Sequence, residues 1–278
     1  MELKKSYSVS ALRTLTMYIQ LYHETHEVSK DLLSKALSDI QSESTSISAI
    51  NLLLSNGIIK TSNGCLHPEF NINDFNWLNY LLDREQSAMV LGLPGAHTIV
   101  LTEELEKKSV LYIDHDVAWR SLLNNSERTL DIISPFIDPE GIDLFANDLL
   151  RALKKRIPVR IITRRFDPGL TSQKRSAIER LVNKVKSEYR ASDLCFGYFH
   201  DGNCTEEKMN HLGSVHAKML IQDNKIAYVG SGEFRKNSAY MNLEIGFVRT
   251  DPLEISRLAT VFEIFWGLCD VREWSEAL

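Results

Sequence analysis

Long apolar runs are what this chain most plainly lacks. No segment reaches the roughly 18 to 20 consecutive apolar residues that a membrane-spanning helix requires. Met1-Glu2-Leu3-Lys4-Lys5 leads into polar residues and not into the apolar core of a secretion signal. Cysteine is scarce as well. Cys65, Cys195, Cys204 and Cys269 are scattered without the paired spacing of a disulfide framework, which fits reduced thiols. No internal repeat and no low-complexity tract occurs. What remains is an ordinary globular composition, 44% hydrophobic and 25% charged over 278 residues. That length suits one large domain or a domain with a small module. These absences predict a soluble, cytoplasmic protein with no membrane contact.

The net charge of −5 conceals an asymmetry. Between Arg151 and Arg190 stand 13 Lys or Arg against 3 Asp or Glu, whereas the rest of the chain carries 19 and 34. Arg160, Arg164, Arg165, Lys174 and Arg175 belong to this basic band. A dense basic band in an otherwise acidic chain is what binding to a polyanion backbone requires. The competing reading is a solvated helix face whose Lys and Arg serve solubility.

His216-Ala217-Lys218, followed by Asp223 and then Gly230-Ser231, reads H-x-K-x4-D-x6-G-S. Five such residues at fixed spacing arise by chance in roughly one chain of this length in ten thousand. Alternation predicts a strand with Val215, Ala217, Met219 and Ile221 on one face and His216, Lys218 and Leu220 on the other. His216 and Lys218 then point the same way. The imidazole can supply a nucleophilic nitrogen while the ammonium neutralises phosphate oxygens. Asp223-Asn224-Lys225 reads as a turn and Ile226 to Val229 as a second strand. Gly230 and Ser231 end that strand where close backbone approach and a small hydroxyl donor are useful.

This pattern resembles the signature of the phospholipase D superfamily, whose members break phosphodiesters through a phosphohistidine intermediate. Asn242-Leu243-Glu244 is similar to the Asn-x-Glu element of the superfamily's nucleases. The resemblance implies catalytic roles for His216, Lys218, Ser231 and Glu244, with Glu244 hydrogen-bonded to His216 and fixing its tautomer. It implies motif-supporting roles for Asp223, Gly230 and Asn242, and neither metal nor cofactor. The superfamily site uses two H-x-K motifs, one His as nucleophile and one as general acid. This chain holds one, so the resemblance implies a homodimer with a single shared active site. One position departs from the pattern. The family usually continues Gly-Ser-x-Asn, but here the run is Gly230-Ser231-Gly232-Glu233. A carboxylate in a phosphate pocket repels its ligand unless it is protonated, turned away or paired, as with Arg235. Glu233 and Arg235 therefore leave the phosphate-binding half of the site open.

The chain organises into three parts. Residues 1–70 read as helices over Leu12 to Tyr22, Lys30 to Asp39 and Thr45 to Leu54, then a hairpin turning at Ser62-Asn63-Gly64. That order resembles a winged helix. Its third helix offers Ser44, Thr45, Ser46, Ser48 and Asn51 but no basic residue, which favours a protein partner or dimer support over DNA reading. Residues 71–109 form an extension of unclear role, with a helix over Phe75 to Leu82 and a short strand over Thr98 to Leu101. Residues 110–278 carry the phospholipase D resemblance. Strands at Val110 to Ile113, Leu130 to Ile133 and Val159 to Ile162 alternate with a helix capped at Asp116 and one over Ile142 to Leu153. The expected class is α/β, with a mixed, largely parallel sheet flanked by helices. Asp251-Pro252 opens a final helix with a cap and an N1 proline.

Two clusters invite a metal reading and are set aside. His23, Glu24, His26 and Glu27 lack a third ligand, and zinc on His200, Cys204, His211 and His216 would block the nucleophile. The function expected is a metal-independent nuclease acting on DNA or RNA, which by analogy fits host defence or restriction. The alternatives are a phospholipase D or phosphatidyl transferase, and a catalytically weak module that binds nucleic acid or a partner.

Overall fold

The computed structural model describes residues 50–51, 54, 59–68, 77–82, 87–94, 101, 104–105, 108, 110, 112–164, 172–185, 193–199 and 215–273. The chain divides into two compact units, residues 1–80 with 96–113, and residues 81–95 with 114–278.

In the first unit, β1 (Ile59–Ser62) and β2 (Cys65–Pro68) form an antiparallel hairpin with Ser62 opposite Cys65. Asn63 and Gly64 take φ of 53° and 80°, the two positive values that let a two-residue turn follow the strand twist. The hairpin read from Ser-Asn-Gly is present. Ile50, Asn51 and Leu54 are helical, as expected of the third helix, while the expected helices over residues 12–39 lie outside the described residues. Leu101, placed in a strand by the sequence reading, is helical. Leu101 and Leu105 sit four apart around Glu103 and Glu104, a helical spacing that outweighs the short apolar run before it. Helix α1 (Trp77–Leu82) falls where Phe75 to Leu82 was read.

Strand β3 (Ser87–Gly92) opens the second unit, and β4 (Tyr112–Asp114) leads directly into α2 (His115–Asn124). The α2 N-cap is Asp114, not Asp116, which instead sits in the first turn, where its charge suits the helix dipole. Then follow β5 (Leu130–Ile133), α3 (Pro139–Lys154), β6 (Val159–Arg164), α4 (Ser172–Val185) and β7 (Leu194–Phe199). The chain continues through β8 (Met219–Gln222), β9 (Ile226–Gly230), α5 (Lys236–Tyr240), β10 (Glu244–Arg249), α6 (Pro252–Gly267) and β11 (Asp270–Glu273). The strands of this unit lie in the order β11-β7-β6-β5-β8-β9-β10-β3.

The sheet is mixed, as expected, but it is not largely parallel. Parallel pairing is confined to β5–β6–β7, and every other pairing in this unit is antiparallel. Of the β-α-β order read from the sequence, the parallel β5–α3–β6 unit is present, and β7, which that reading did not include, extends it through α4. Strands β8 and β9 are joined by a tight turn and enter beside β5 as an antiparallel hairpin, a pairing that local pattern does not encode.

Strand alternation builds two cores. Ile133, Ile162, Met219, Ile221 and Ala227 face α6 and pack with its Ile255 and Phe262. Tyr228 faces the opposite side, towards Trp119 of α2, whose ring meets Phe145 of α3 and Phe234 at centroid distances of 5.7 and 4.8 Å. Central strands β5 and β8 are buried at every residue, which explains their unbroken apolar runs.

Candidate active site

Strand polarity concentrates the sequence motifs at one end of the sheet. Ile133, last in β5, lies opposite Met219, first in β8, which in turn lies opposite Val229. The carboxyl ends of β5, β6 and β9 therefore meet the amino ends of β8 and β10. In open sheets this crevice is where ligands bind. His216 and Lys218 stand at this end, just before β8 and not within it. Val215, Met219 and Ile221 share the α6 face as read, but Ala217 is exposed.

Lys218 is 8% exposed, and its Nζ lies 3.1 Å from His216 Nδ1 while donating to the His216 carbonyl at 2.8 Å. The His216 ring faces solvent. The Lys218 ammonium, a small desolvation and the Arg164 guanidinium hold its pKa below the ordinary imidazole value. A cation that can only donate favours the unprotonated ring, the state a nucleophile needs. The pairing read from spacing is thus realised.

Asp223 supports this pair from a distance. It is 3% exposed and accepts the backbone N–H groups of Glu127, Arg128 and Thr129, at 2.7 Å for Arg128. Asp223 and Asn224 take φ of 57° and 55°, so the turn that reverses the motif hairpin also fastens it to the entry of β5. Gly230 is required by crowding: a Cβ there would stand 2.6 Å from the Gly246 Cα and 2.5 Å from the Tyr228 hydroxyl. That hydroxyl accepts the Gly232 N–H at 3.0 Å.

Ser231 and Glu244 are joined to each other. Ser231 Oγ donates to Glu244 Oε2 and accepts the Ile245 N–H, while Asn242 Nδ2 donates to Glu244 Oε1 at 3.2 Å. The expected Glu244–His216 hydrogen bond is not among the contacts of either residue; Ser231 and Asn242 hold the Glu244 carboxylate instead. Glu233 is turned away from solvent, 6% exposed, and its Oε2 accepts the Phe136 N–H at 3.1 Å. Burial raises its pKa, opposed by the Phe136 N–H, Lys218 and Arg235 and assisted by Glu244. Arg235 pairs with Asp138 at 3.4 Å, not with Glu233.

The basic band separates into groups with different work. Arg160, expected among the nucleic-acid contacts, is engaged within the protein. Its guanidinium grips Asp131 at 2.7 and 2.9 Å and Glu263 at 2.6 and 3.2 Å, with its Cζ 4.8 Å from the Phe262 ring centroid. Arg156 pairs with Asp193, while Arg180 and Lys184 pair with Asp143. Arg164 alone of the described members reaches the site, donating from Nε to the Val215 carbonyl at 3.0 Å. Arg165 lies outside the described residues. Lys174 and Arg175 fall on α4, with their side chains outside the description, as are His200, Cys204 and His211. Among the described residues, no group of His, Cys, Asp and Glu could hold a metal ion.

A family model described as "Cardiolipin synthase, PLD-like domain" matches residues 119–266, more than half of the chain. The chain belongs to the phospholipase D-like family. The virion nicking-joining enzyme of vaccinia virus (strain Copenhagen) is 26% identical over 166 residues, covering 57% of this chain and 34% of that protein. The chain thus spans about a third of the length of that relative. Among solved structures, NucT from Helicobacter pylori aligns with 15% identity and a TM-score of 0.43, over 66% of this chain and 98% of that one. Nuc from Salmonella typhimurium, a phospholipase D family member, aligns with 14% identity and a TM-score of 0.43, over 67% and 99%.

Three residues of this phospholipase D-like site escaped the motif reading. Phe136 lies beside His216 with ring centroids 6.3 Å apart. Asp138 caps α3 by accepting the Gly141 N–H at 2.6 Å and also holds Arg235. Its signal was present in Asp138-Pro139, the same cap-and-proline pair as Asp251-Pro252. His115 lies behind Gly232, 1% exposed, and its neighbourhood of Trp119, Phe145 and Tyr228 has no local signature.

Proposed function

We propose that the protein is a metal-independent phosphodiesterase, a nuclease that cleaves DNA or RNA through His216. The juxtaposition of the exposed His216 ring and the buried Lys218 ammonium at the crevice carries this reading. An unprotonated His216 nitrogen attacks phosphorus, and the P–N bond forms as the bond to the leaving oxygen breaks. That oxygen takes a proton from an imidazolium across the site. Water then attacks phosphorus, returns a proton to that imidazole and releases His216. Lys218 neutralises the phosphoryl oxygens throughout.

The acid is supplied by His216 of a second copy, because the chain holds one H-x-K. An apolar rim around Asn242 and Glu244 supports such a homodimer: Met241 and Leu243 are each 61% exposed and Ile245 51%. The name of the viral relative, a nicking-joining enzyme, supports nucleic acid as the phosphodiester. Arg165, Lys174 and Arg175 are proposed to contact its backbone, and residues 1–70 to contact a protein partner. Cleavage of a phospholipid headgroup is the second reading, favoured by the same apolar rim and by the description of the family model.

The deciding experiment incubates the purified chain with DNA, RNA and phospholipid vesicles in excess chelator. Strand cleavage that disappears in His216→Ala is the expected result. Cleavage that survives in pure His216→Ala, or that needs an added divalent ion, overturns the mechanism. Release of headgroup from vesicles with nucleic acid left intact moves the assignment to phospholipids.

A further inference from the structure

Position 233 lacks the amide that the family presents to phosphate, and the structure assigns that task elsewhere. Three groups converge on one ring. The Phe136 centroid lies 4.4 Å from Arg164 Cζ, 5.7 Å from Arg235 Cζ and 6.3 Å from the His216 ring, which stands nearly perpendicular to it at 81°. A guanidinium laid over an aromatic face keeps its N–H edges directed sideways, in the fork that grips two oxygens of a phosphate.

The ring is held by a dense set of bonds. Glu233 accepts the Phe136 N–H, and Ser134 Oγ accepts the Phe234 N–H at 3.1 Å while donating to the Phe136 carbonyl at 3.0 Å. The Asp138 N–H donates to the Phe234 carbonyl at 3.2 Å, and Thr163 Oγ1 donates to the Pro135 carbonyl at 3.2 Å. Residues 134–138 and 233–235 are thereby stitched into one support at the carboxyl ends of β5 and β9. Arg235 is anchored through Nε on Asp138, and its side chain is 36% exposed.

We propose that Arg164 and Arg235, seated on Phe136, form the phosphate clamp of this site, and that Glu233 is the positioning residue that sets the clamp through the Phe136 N–H. The ligand class is a phosphodiester monoanion, shared by nucleic-acid backbones and phospholipid headgroups. The clamp rests on the phosphodiesterase reading for its purpose but not for its detection, because binding requires no turnover. The departure at position 233 is then an exchange. The carboxylate leaves the phosphate pocket for the backbone, and two guanidinium groups take over the oxygens.

The test measures inorganic phosphate binding to the full chain by titration calorimetry and 31P NMR line width, beside steady-state cleavage. Arg235→Gln and Arg164→Gln are each expected to weaken phosphate about tenfold or more, and to raise KM more than they lower kcat. Lys236→Gln removes the same charge from an exposed neighbour and leaves both quantities within about twofold. Glu233→Gln keeps an acceptor for the Phe136 N–H and retains most of the phosphate affinity, whereas Glu233→Ala loses it. A dinucleotide or glycerophosphoglycerol displaces the bound phosphate, and the stronger competitor identifies the source; displacement by neither overturns the clamp. An inactive chain that still binds phosphate through Arg235 sinks the hydrolytic reading and keeps the clamp. An active chain whose phosphate affinity ignores both arginines sinks the clamp alone. Tighter phosphate binding by Glu233→Gln than by the unaltered chain overturns the positioning role, since the carboxylate would then be a repelling gate.

Discussion

Arg160 and Arg164 occupy the same face of one strand, four residues apart, and they are spent on different things. Arg160, near the start of β6, is opposite Asp131 in the register with β5 and beneath Glu263 of α6. It is a bolt between sheet and helix. Arg164, the last residue of β6, emerges at the crevice over Phe136 and beside Val215, the neighbour of His216. The interior end of a strand meets helices and acidic partners that consume a charge. The carboxyl end opens where ligands bind. Counting basic residues joins the two, and position along the strand separates them.

That contrast is broken hardest at His216, the proposed nucleophile. His216→Ala is expected to lower kcat by about four orders of magnitude or more while leaving the urea midpoint unchanged, because the ring faces solvent and packs into no core. Single-turnover assays and equilibrium unfolding on the same preparation check both halves. A large loss of stability with residual turnover would place His216 among the structural residues, with Arg160.

The opposite signature belongs to Arg160. Arg160→Met leaves Asp131, 3% exposed, without its partner, so unfolding free energy is expected to fall by about 3 kcal/mol. Turnover per folded molecule should stay unchanged. Asp131→Leu together with Arg160→Met removes the stranded charge and should recover much of the loss, because an apolar pair of similar volume replaces a buried ion pair. A double variant as unstable as the single one would show that the network serves packing, through Phe262 and Trp266, more than charge.

A second ionisable group is held in the interior, this time neutral. His115 is 1% exposed, and neither ring nitrogen has a hydrogen bond among the described residues. Burial pushes its pKa from 6.5 down to about 3, opposed in small part by the Gly232 backbone. The unfolded chain therefore binds a proton that the folded chain refuses between about pH 6.5 and 3. Stability from this group is complete above pH 6.5 and is lost as pH falls, by about 1.4 kcal/mol per pH unit, or about 2 kcal/mol by pH 5. His115→Leu should flatten that slope in urea titrations taken from pH 7 to 5. An unchanged slope would locate the acid sensitivity in the carboxylates.

How much of this was readable in advance follows the range of the interactions. The motif hairpin, the Asn63-Gly64 turn and the Asp251 cap are local, set by residues within a few positions, and they are present, although β8 begins only at Met219 and leaves His216 and Lys218 before it. The antiparallel entry of β8 and β9 beside β5 is not local, so an alternating β-α-β text was read as a more parallel sheet than exists. Strand β7, Leu-Cys-Phe-Gly-Tyr-Phe, is largely buried and has no alternation to reveal it. Within the site, His216 and Lys218 are neighbours in sequence and in space. Phe136, Arg164 and Arg235 come from three distant segments, and only the shared end of the sheet makes them one group.

The smallest effect tests how the two kinds of cation act on the nucleophile. Lys218 is the leading cause of the lowered His216 pKa, with Arg164 contributing less. Lys218→Gln should therefore raise the His216 pKa back towards the ordinary imidazole value, and Arg164→Gln should raise it by a smaller amount. The ring is solvent-exposed, so screening limits both shifts. NMR titration of the imidazole, assigned by its absence in His216→Ala, reads this without any need for turnover. The order of the two shifts decides the argument. If Arg164→Gln moves the titration further than Lys218→Gln, the clamp arginine and not the motif lysine holds the imidazole unprotonated. The H-x-K pair would then owe its reactivity to the end of β6. If Arg160→Gln moves it at all, the separation between the two ends of that strand fails.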